Sequence, residues 1–330
     1  MAEYLTNTTD LTKVASAIRE KGGTSDLLVY PDGFVTAIQA IQTGTELQII
    51  VSVTSGATVT ATKGSKVVSG TSVNGTCTLI VPEAGTWSVK ATHNGQTSDT
   101  KSVSVKDSYA LTLNFLNDDF ANNSWASIIA ACHLGSVPST WVVGNSKTMT
   151  INGASYQVDI IGKNHDTYAS GGKAPLTFQL HDCYADTKAM NSSNTNSGGW
   201  KNSAMRTTHL PAILARMPTE VRSGIREVSK KASVGGESST IETVSDKLFL
   251  LSEVEIFGST SYSEAGEGTQ YDYYKAGNSK VKKRNGSGAA WWERSPGASG
   301  SAYFCLVFSN GSADINSAGF AFGVAFGFCF

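Results

Sequence analysis

Apolar positions change their period twice along the chain. Near the start they fall at Leu11, Val14, Ala15 and Ile18, the spacing of one helical face. Thr8-Thr9-Asp10 offers N-cap side chains ahead of that run, and Gly22-Gly23 stops it. After Pro31, which suits a first helical turn, Phe34, Ile38 and Ile41 make a second stripe. Two helices this short cannot form an adequate core alone. They are expected to pack on a partner chain or larger assembly, or on their own downstream domain. From residue 45 the period becomes two. Residues 48–53, 58–62, 76–81, 86–91 and 102–105 read as short strands, with Asn74-Gly75 and Asn94-Gly95 among the turn signals between them. Even spacing of this kind predicts an immunoglobulin-like sandwich over 45–115, with Trp87 in its core and no chemistry of its own.

Residues 116–330 mix the two periods. Ser124 caps an expected helix to about His133, closed by Gly135. Asn152-Gly153 marks a hairpin between 149–151 and 156–161. Helices are expected over 204–217 and 219–224, broken at Pro218, and strands over 225–228 and 248–256. The fold class is therefore α+β and mostly β. It comprises short N-terminal helices (1–44), the sandwich (45–115) and a C-terminal domain (116–330).

Composition narrows the function. The 330 residues carry 26 basic and 27 acidic side chains, a balance that argues against nucleic-acid partners. Charged residues are 16% and Gly numbers 33, which suits many short strands and a surface solvated by hydroxyls and amides. No apolar run approaches the ~18 residues that span a bilayer, so no membrane insertion is expected. The polar start, Met1-Ala2-Glu3-Tyr4, lacks the features of a secretory signal. Cys77, Cys132, Cys183, Cys305 and Cys329 are scattered, odd in number and without CxxC spacing. They read as reduced thiols in a chain folded in cytoplasm, with a Cys305–Cys329 bridge as the less favoured alternative.

Candidate chemistry is sparse. His165-Asp166 and His181-Asp182 have the residue types of a metal site, but a His-Asp step without ligand spacing is more often a turn or a hydrogen-bonded pair. No metal, cofactor or catalytic residue is assigned. Nucleophile-elbow, HExxH and P-loop motifs do not occur. Lys280, Lys282, Lys283 and Arg284 read as a solvated face. Paired carboxylates for glycoside cleavage carry no local signature and stay open. The tail is distinctive: from Gly297 to Phe330 there is no Lys, Glu, Gln, Met or Trp, and no Arg, His, Thr or Pro. If part of it is exposed, Phe308, Ile315, Phe320 and Phe322 form an apolar patch of the kind that marks a binding site, set among small polar residues as in recognition loops.

Trp291-Trp292-Glu293-Arg294-Ser295-Pro296, Phe304-Cys305, Ser309-Asn310-Gly311 and Gly323-Val324-Ala325-Phe326-Gly327-Phe328-Cys329 resemble the variable proteins of diversity-generating retroelements from gut bacteria and their phages. Gly198-Gly199-Trp200-Lys201-Asn202-Ser203, the stretch Ile241-Glu242-Thr243-Val244-Ser245-Asp246-Lys247-Leu248 with Phe249-Leu250-Leu251-Ser252-Glu253, and Gly266-Glu267-Gly268-Thr269-Gln270-Tyr271 fit the same group. The resemblance covers about 116–330. Thr9-Asp10-Leu11-Thr12, Ile18-Arg19-Glu20-Lys21-Gly22-Gly23-Thr24 and Tyr30-Pro31-Asp32-Gly33-Phe34 are similar to the start of many phage tail and fibre proteins.

The resemblance implies a C-type lectin fold for 116–330. The Glu-Pro-Asn, Gln-Pro-Asp and Trp-Asn-Asp motifs of calcium-dependent sugar lectins are missing, so calcium-mediated sugar binding is not expected. In this family template adenines are randomised, chiefly in AAC codons. Codons left ending in C never encode Lys, Glu, Gln, Met or Trp, five of the types this tail lacks. The implied variable, ligand-binding positions are Leu306, Phe308, Ser312, Asp314, Ile315, Asn316, Ser317, Gly319, Phe320 and Phe322, with Ser299, Ser301, Ala302 and Tyr303 as weaker candidates. Cys305, Val307, Gly311, Gly323, Val324, Phe326 and Phe328 are expected to be buried, fixed framework. The function implied is a non-enzymatic receptor-binding protein of a phage tail, assembled in the bacterial cytoplasm and carried on the virion. Tail proteins would partner its N-terminus, a host-surface protein or glycan its C-terminus, and a homotrimer fits a tail fibre. The alternatives are a tail-associated glycan hydrolase and a bacterial surface adhesin.

Overall fold

The computed structural model describes residues 8–22, 28–40, 46–113 and 115–330, without the side chains of 8–10, 21–22 and 39–40. Residues 1–89 with 102–112 form one compact unit, and 90–101 with 113–330 form the other. The molecule is mostly β, with several small sheets and short helices.

In the first unit, helix α1 (Thr8–Gly22) and helix α2 (Asp32–Ala40) follow the two stripes. Ala15, Ile18 and Phe34 are buried between them, while Val14, Val35 and Ile38 are exposed. The N-cap side chains, Gly23 and Ile41 lie outside the described residues. Strands β1 (Gln48–Ser52), β2 (Thr58–Lys63), β3 (Lys66–Thr71), β4 (Thr76–Ile80), β5 (Gly85–His93), β6 (Gln96–Thr97), β7 (Lys101–Val105) and β8 (Ser108–Thr112) follow in chain order, with residues 90–101, and so β6, counted in the second unit. One sheet runs β4-β1-β8, with β8 parallel to β1. The other carries β3-β2-β5. Inward positions alternate as expected for half-buried strands, and Trp87 is fully buried. Strands β3, β6 and β8 were not foreseen, because β3 and β8 lie at sheet edges and bury little. Asn74-Gly75 and Asn94-Gly95 have φ of 51°, 82° and 49°, 79°, the two positive values that a twisted hairpin turn requires.

The second unit is built on a sheet of order β21-β11-β10-β9, from β9 (Ser146–Ile151), β10 (Ala154–Lys163), β11 (Leu176–Leu180) and β21 (Gly327–Cys329). Asn152-Gly153 makes the expected β9–β10 turn, pairing Ile151 with Ala154. Phe178 on β11 packs against Phe120, Phe328 and Phe330 at centroid distances of 6.0, 5.4 and 5.3 Å. Helix α3 (Trp125–His133) is capped by Ser124, whose hydroxyl accepts from the Ser127 N–H at 3.0 Å. Strand β12 (Lys188–Ala189) and helix α4 (Gly199–Asn202) come next. The span expected as one helix from 204 is a π-helical turn, Met205–His209, leading into α5 (Leu210–Arg216). Pro211 has no N–H for a regular ladder there. Helix α6 (Thr219–Gly224) ends at Ile225.

Two strand expectations are corrected. The strand expected at 225–228 is β13 (Val228–Ser233), because Ile225 caps α6 and Arg226 donates to the Cys329 carbonyl at 3.0 Å. The strand expected at 248–256 is a buried run, 248–251, followed by helix α7 (Glu253–Phe257), while the strand itself is β14 (Ile241–Asp246). Ser252 and Glu255 form a complete capping box that starts α7, which overrides the apolar run. Helix α8 (Asp272–Lys275) precedes the hairpin β15 (Lys282–Arg284) and β16 (Ser287–Ala289). Strands β17 (Trp291–Pro296), β18 (Tyr303–Val307) and β19 (Ala313–Ser317) form an antiparallel sheet, and β20 (Ala321–Phe322) pairs with β12.

Candidate functional site

The tail divides sharply. Residues 304–307 and 323–330 are buried, while 299, 301, 303, 308, 312 and 319–321 are exposed and 313–317 half-exposed. Every implied contact position has solvent access except Leu306, which is 1% exposed. Leu306 is therefore core: the middle strand, β18, is covered on both faces. Strand β19 pairs only with β18 among the described residues, with Tyr303 opposite Ser317, Cys305 opposite Ile315 and Leu306 opposite Asp314. A turn closed by Phe308 N–H to the Ser312 carbonyl lies at one end, and a turn closed by Phe320 N–H to the Ser317 carbonyl at the other. The exposed rings of Phe308 and Phe320 thus bracket β19, whose five residues extend about 17 Å. Phe322 stacks edge-on against buried Trp292 at 5.0 Å.

The positions expected as framework differ in what surrounds them. Gly311, expected to be buried, is half-exposed; its φ of +89° is what requires glycine. A Cβ on Gly323 would meet Cys183 Sγ at 2.5 Å. At Gly319, an implied variable position, a Cβ would meet Asn194 Oδ1 at 2.7 Å.

Asn196, which no motif had singled out, holds the loop before β18. It is fully buried. Its Nδ2 donates to the carbonyls of Gly297, Gly300 and Tyr303 at 3.2, 3.0 and 2.9 Å, and its backbone N–H donates to the Ser301 carbonyl at 2.7 Å. Its Oδ1 accepts from Gly236 N–H at 2.8 Å. Asn196→Ala is expected to cost about 2–3 kcal/mol and to raise amide exchange selectively over 298–303, which mass-spectrometric hydrogen exchange reads.

Beneath the tail lies a network of buried charge. Lys230, 2% exposed, donates to Asp166 at 2.8 Å, Glu255 at 2.7 Å and Tyr271 at 3.0 Å. Arg294 donates to both Glu255 oxygens at 2.5 and 2.9 Å. Burial alone would raise the Asp166 carboxyl, but the Lys230 charge and hydrogen bond overcome it and hold it at about 2. Glu255 is lowered in the same way, with Arg294 and Lys230 outweighing burial. Glu267 accepts from Ser233 N–H at 2.7 Å and from the Ser295 hydroxyl, and burial raises it to about 7. Glu253 takes the backbone N–H groups of Ser261, Tyr262 and Ser263. Glu293 is fully buried, and among the described residues neither carboxyl oxygen has a partner. Burial, then the charges of Glu253 and Glu267, push it well above the carboxylate range. Trp200 donates to Asp246 at 2.7 Å, and Arg206 reaches the same carboxylate at 2.6 Å. The motifs that carry the family resemblance thus meet as framework.

A family described as a domain of unknown function, DUF6273, matches residues 176–326. That span holds α4, the buried network apart from Asp166, and every implied contact position. No curated protein matches the chain. Among solved structures the chain is similar to the crystal structure of a DUF4876 family protein from Bacteroides thetaiotaomicron, at 8% identity and a TM-score of 0.17, over 47% of this chain and 38% of that one. A likeness that low carries no argument about fold or function.

Other candidates for chemistry resolve into structure. A groove of about 560 Å³ is lined by His165, Asp166, Lys230, Glu255 and Glu267. Its three carboxylates are at most 5% exposed and tied to Lys230, Arg294, Tyr271 or Ser295. His165 stacks on Tyr271 at 4.0 Å and burial lowers its pKa. His181 pairs with Asp159 at 2.7 Å, which raises its pKa. Among the described residues no group of three His, Cys, Asp or Glu is placed to hold a metal ion. Lys282, expected on a solvated face, is 3% exposed and donates to the Leu180 and His181 carbonyls at 2.6 and 2.9 Å; burial lowers it to about 8. All five cysteines are free and buried, and burial raises Cys132 to about 12 and Cys183 to about 11, away from the thiolate that nucleophilic chemistry needs.

Proposed function

We propose that this chain is a receptor-binding protein of a phage tail, and that its C-terminal unit, with a C-type lectin-like fold, displays a changeable contact surface. The observation that carries the reading is the division of the tail. All the implied contact positions except Leu306 reach solvent, and those from Ser312 to Gly319 follow an accessible sheet edge between Phe308 and Phe320, beside strands buried on both faces. Substitutions at exposed positions away from special features usually stay within about 0.5 kcal/mol, so such a surface changes without unfolding its support. Aromatic anchors supply buried area on contact, and Ser, Asn and Asp orient it. The first unit serves as an immunoglobulin-like spacer behind helices that attach to the tail. Exposed Val14, Val35 and Ile38 give those helices an apolar surface for that attachment. Many copies on one virion turn weak single contacts into avidity.

The glycan-hydrolase reading requires carboxylates that reach a substrate; the buried, paired carboxylates at the groove speak for the binding reading instead. The adhesin reading shares the same surface and differs in gene neighbourhood. Two experiments test the proposal. Neighbouring DNA should hold a near-copy of the tail codons, differing at adenines, beside a reverse transcriptase gene; its absence ends the diversification claim. A library randomised at Ser299, Ser301, Tyr303, Phe308, Ser312, Ile315 and Phe320 should remain mostly folded by protease resistance, whereas Leu306→Ala loses about 2–5 kcal/mol. A library that unfolds as readily as Leu306→Ala overturns the display reading.

A further inference from the structure

Strand β19 is the outer strand of its sheet, and an outer strand offers outward-facing backbone groups to any added strand. Its hydrogen-bond parity is set at both ends. Phe308 N–H donates to Ser312 and Ala318 N–H donates to Ala302, so the N–H groups of Ala313, Ile315 and Ser317 point away from β18. Two of these three donors are already held. Ile315 N–H donates to Asp314 Oδ1 at 2.8 Å, and Ser317 N–H donates to Asn316 Oδ1 at 2.9 Å. Each side chain thus covers the amide of the residue that follows it.

We infer that Asp314 and Asn316 are edge guards that close β19 to antiparallel pairing with β19 of a second copy of this chain. The sequence of the strand makes a second copy the fitting occupant. An antiparallel pair centred on Ile315 sets Ile315 against Ile315, Ala313 against Ser317 and Asp314 against Asn316, without opposing like charges. The Phe308 turn of one copy then lies beside the Phe320 turn of the other, and both rings are exposed. The contact is isologous and closes as a dimer. The backbone is therefore ready for self-pairing, and two side chains occupy the donors that it needs. The inference rests on the hydrogen bonds of this sequence, whatever the surface binds, and positions 314 and 316 are among those that the proposed function treats as changeable.

The test is sedimentation velocity on the full chain over a wide concentration range. D314A/N316A is expected to self-associate about tenfold or more tightly than wild type, a change of about 1.4 kcal/mol, with a species of twice the wild-type mass. D314N/N316D keeps an acceptor at both positions and should sediment as wild type. Adding Ile315→Pro to D314A/N316A should restore wild-type mass, because proline has no N–H and this position donates nothing to β18. In wild type alone, the Ile315 and Ser317 amides should exchange more slowly than the Ala313 amide. The inference is overturned if folded D314A/N316A sediments as wild type, if its larger species survives Ile315→Pro, if D314N/N316D associates, or if the Ile315 and Ser317 amides show no such protection.

Discussion

Lys230→Met is expected to destabilise the C-terminal unit by about 3–5 kcal/mol, the usual cost of removing one partner from a buried ion pair. Lys230 is the cation shared by Asp166 and Glu255, and all three are at most 5% exposed. Without it Asp166 keeps the neutral donors Thr177, Tyr271 and Cys329, and Arg294 is the cation left on Glu255. Urea denaturation followed by tryptophan fluorescence measures the loss, since Trp125, Trp141, Trp200, Trp291 and Trp292 all lie in this unit. Its pH dependence has a definite sign. The native Asp166 carboxyl lies at about 2, below its ordinary 3.8, so its contribution is present above pH 3.8 and is lost as pH falls through about 2. The gap between wild type and Lys230→Met should therefore narrow in acid. Lys201→Met, which breaks the exposed pair with Glu242, should cost no more than about 1 kcal/mol. Equal losses in the two variants would show that the buried network does not support the fold.

Glu293→Met is expected to have the opposite effect, stabilising the protein by about 2 kcal/mol at pH 7 and raising Tm by about 5 °C. The native side chain is fully buried with no partner for either oxygen among the described residues. A thioether of similar length fills the same space without an ionisable group. Because the native pKa is raised, the favourable state is the protonated one. Stability is fully present below the ordinary value of 4.5 and is lost as pH rises toward the native value. The advantage of Glu293→Met should thus be smallest near pH 4 and grow toward neutrality. Glu267, raised to about 7, adds a second loss between pH 4.5 and 7 that the variant retains. Calorimetry from pH 4 to 8 checks both; a variant that melts lower than wild type at pH 7 sinks the account.

Much of the local structure was legible in the residues. Asn74-Gly75, Asn94-Gly95 and Asn152-Gly153 each turned as expected, because a positive φ at both positions favours those residues whatever surrounds them. Asn285-Gly286 carries the same signal at the β15–β16 turn, with φ of 52° and 82°. Ser252 with Glu255 has the spacing of a capping box, but the apolar run before it has the composition of a strand. Strand and helix are hard to separate in a short buried run from its periodicity alone. Edge strands such as β3 and β8 bury little of their surface.

The candidate surface was legible in type but not in depth. The sequence by itself determined the α+β character, the turns and the apolar tail, because these depend on residue chemistry and local spacing. Tertiary structure decided that Leu306 is core while the other implied contact positions reach solvent, since burial depends on what covers a strand from elsewhere in the chain. It also decided that Asp166, Lys230, Glu255 and Arg294 meet in one buried network, that Asn196 holds a loop more than 100 residues downstream, and that Asp314 and Asn316 face the open edge. Each is a contact between distant residues, or a choice of edge, and no local spacing encodes it.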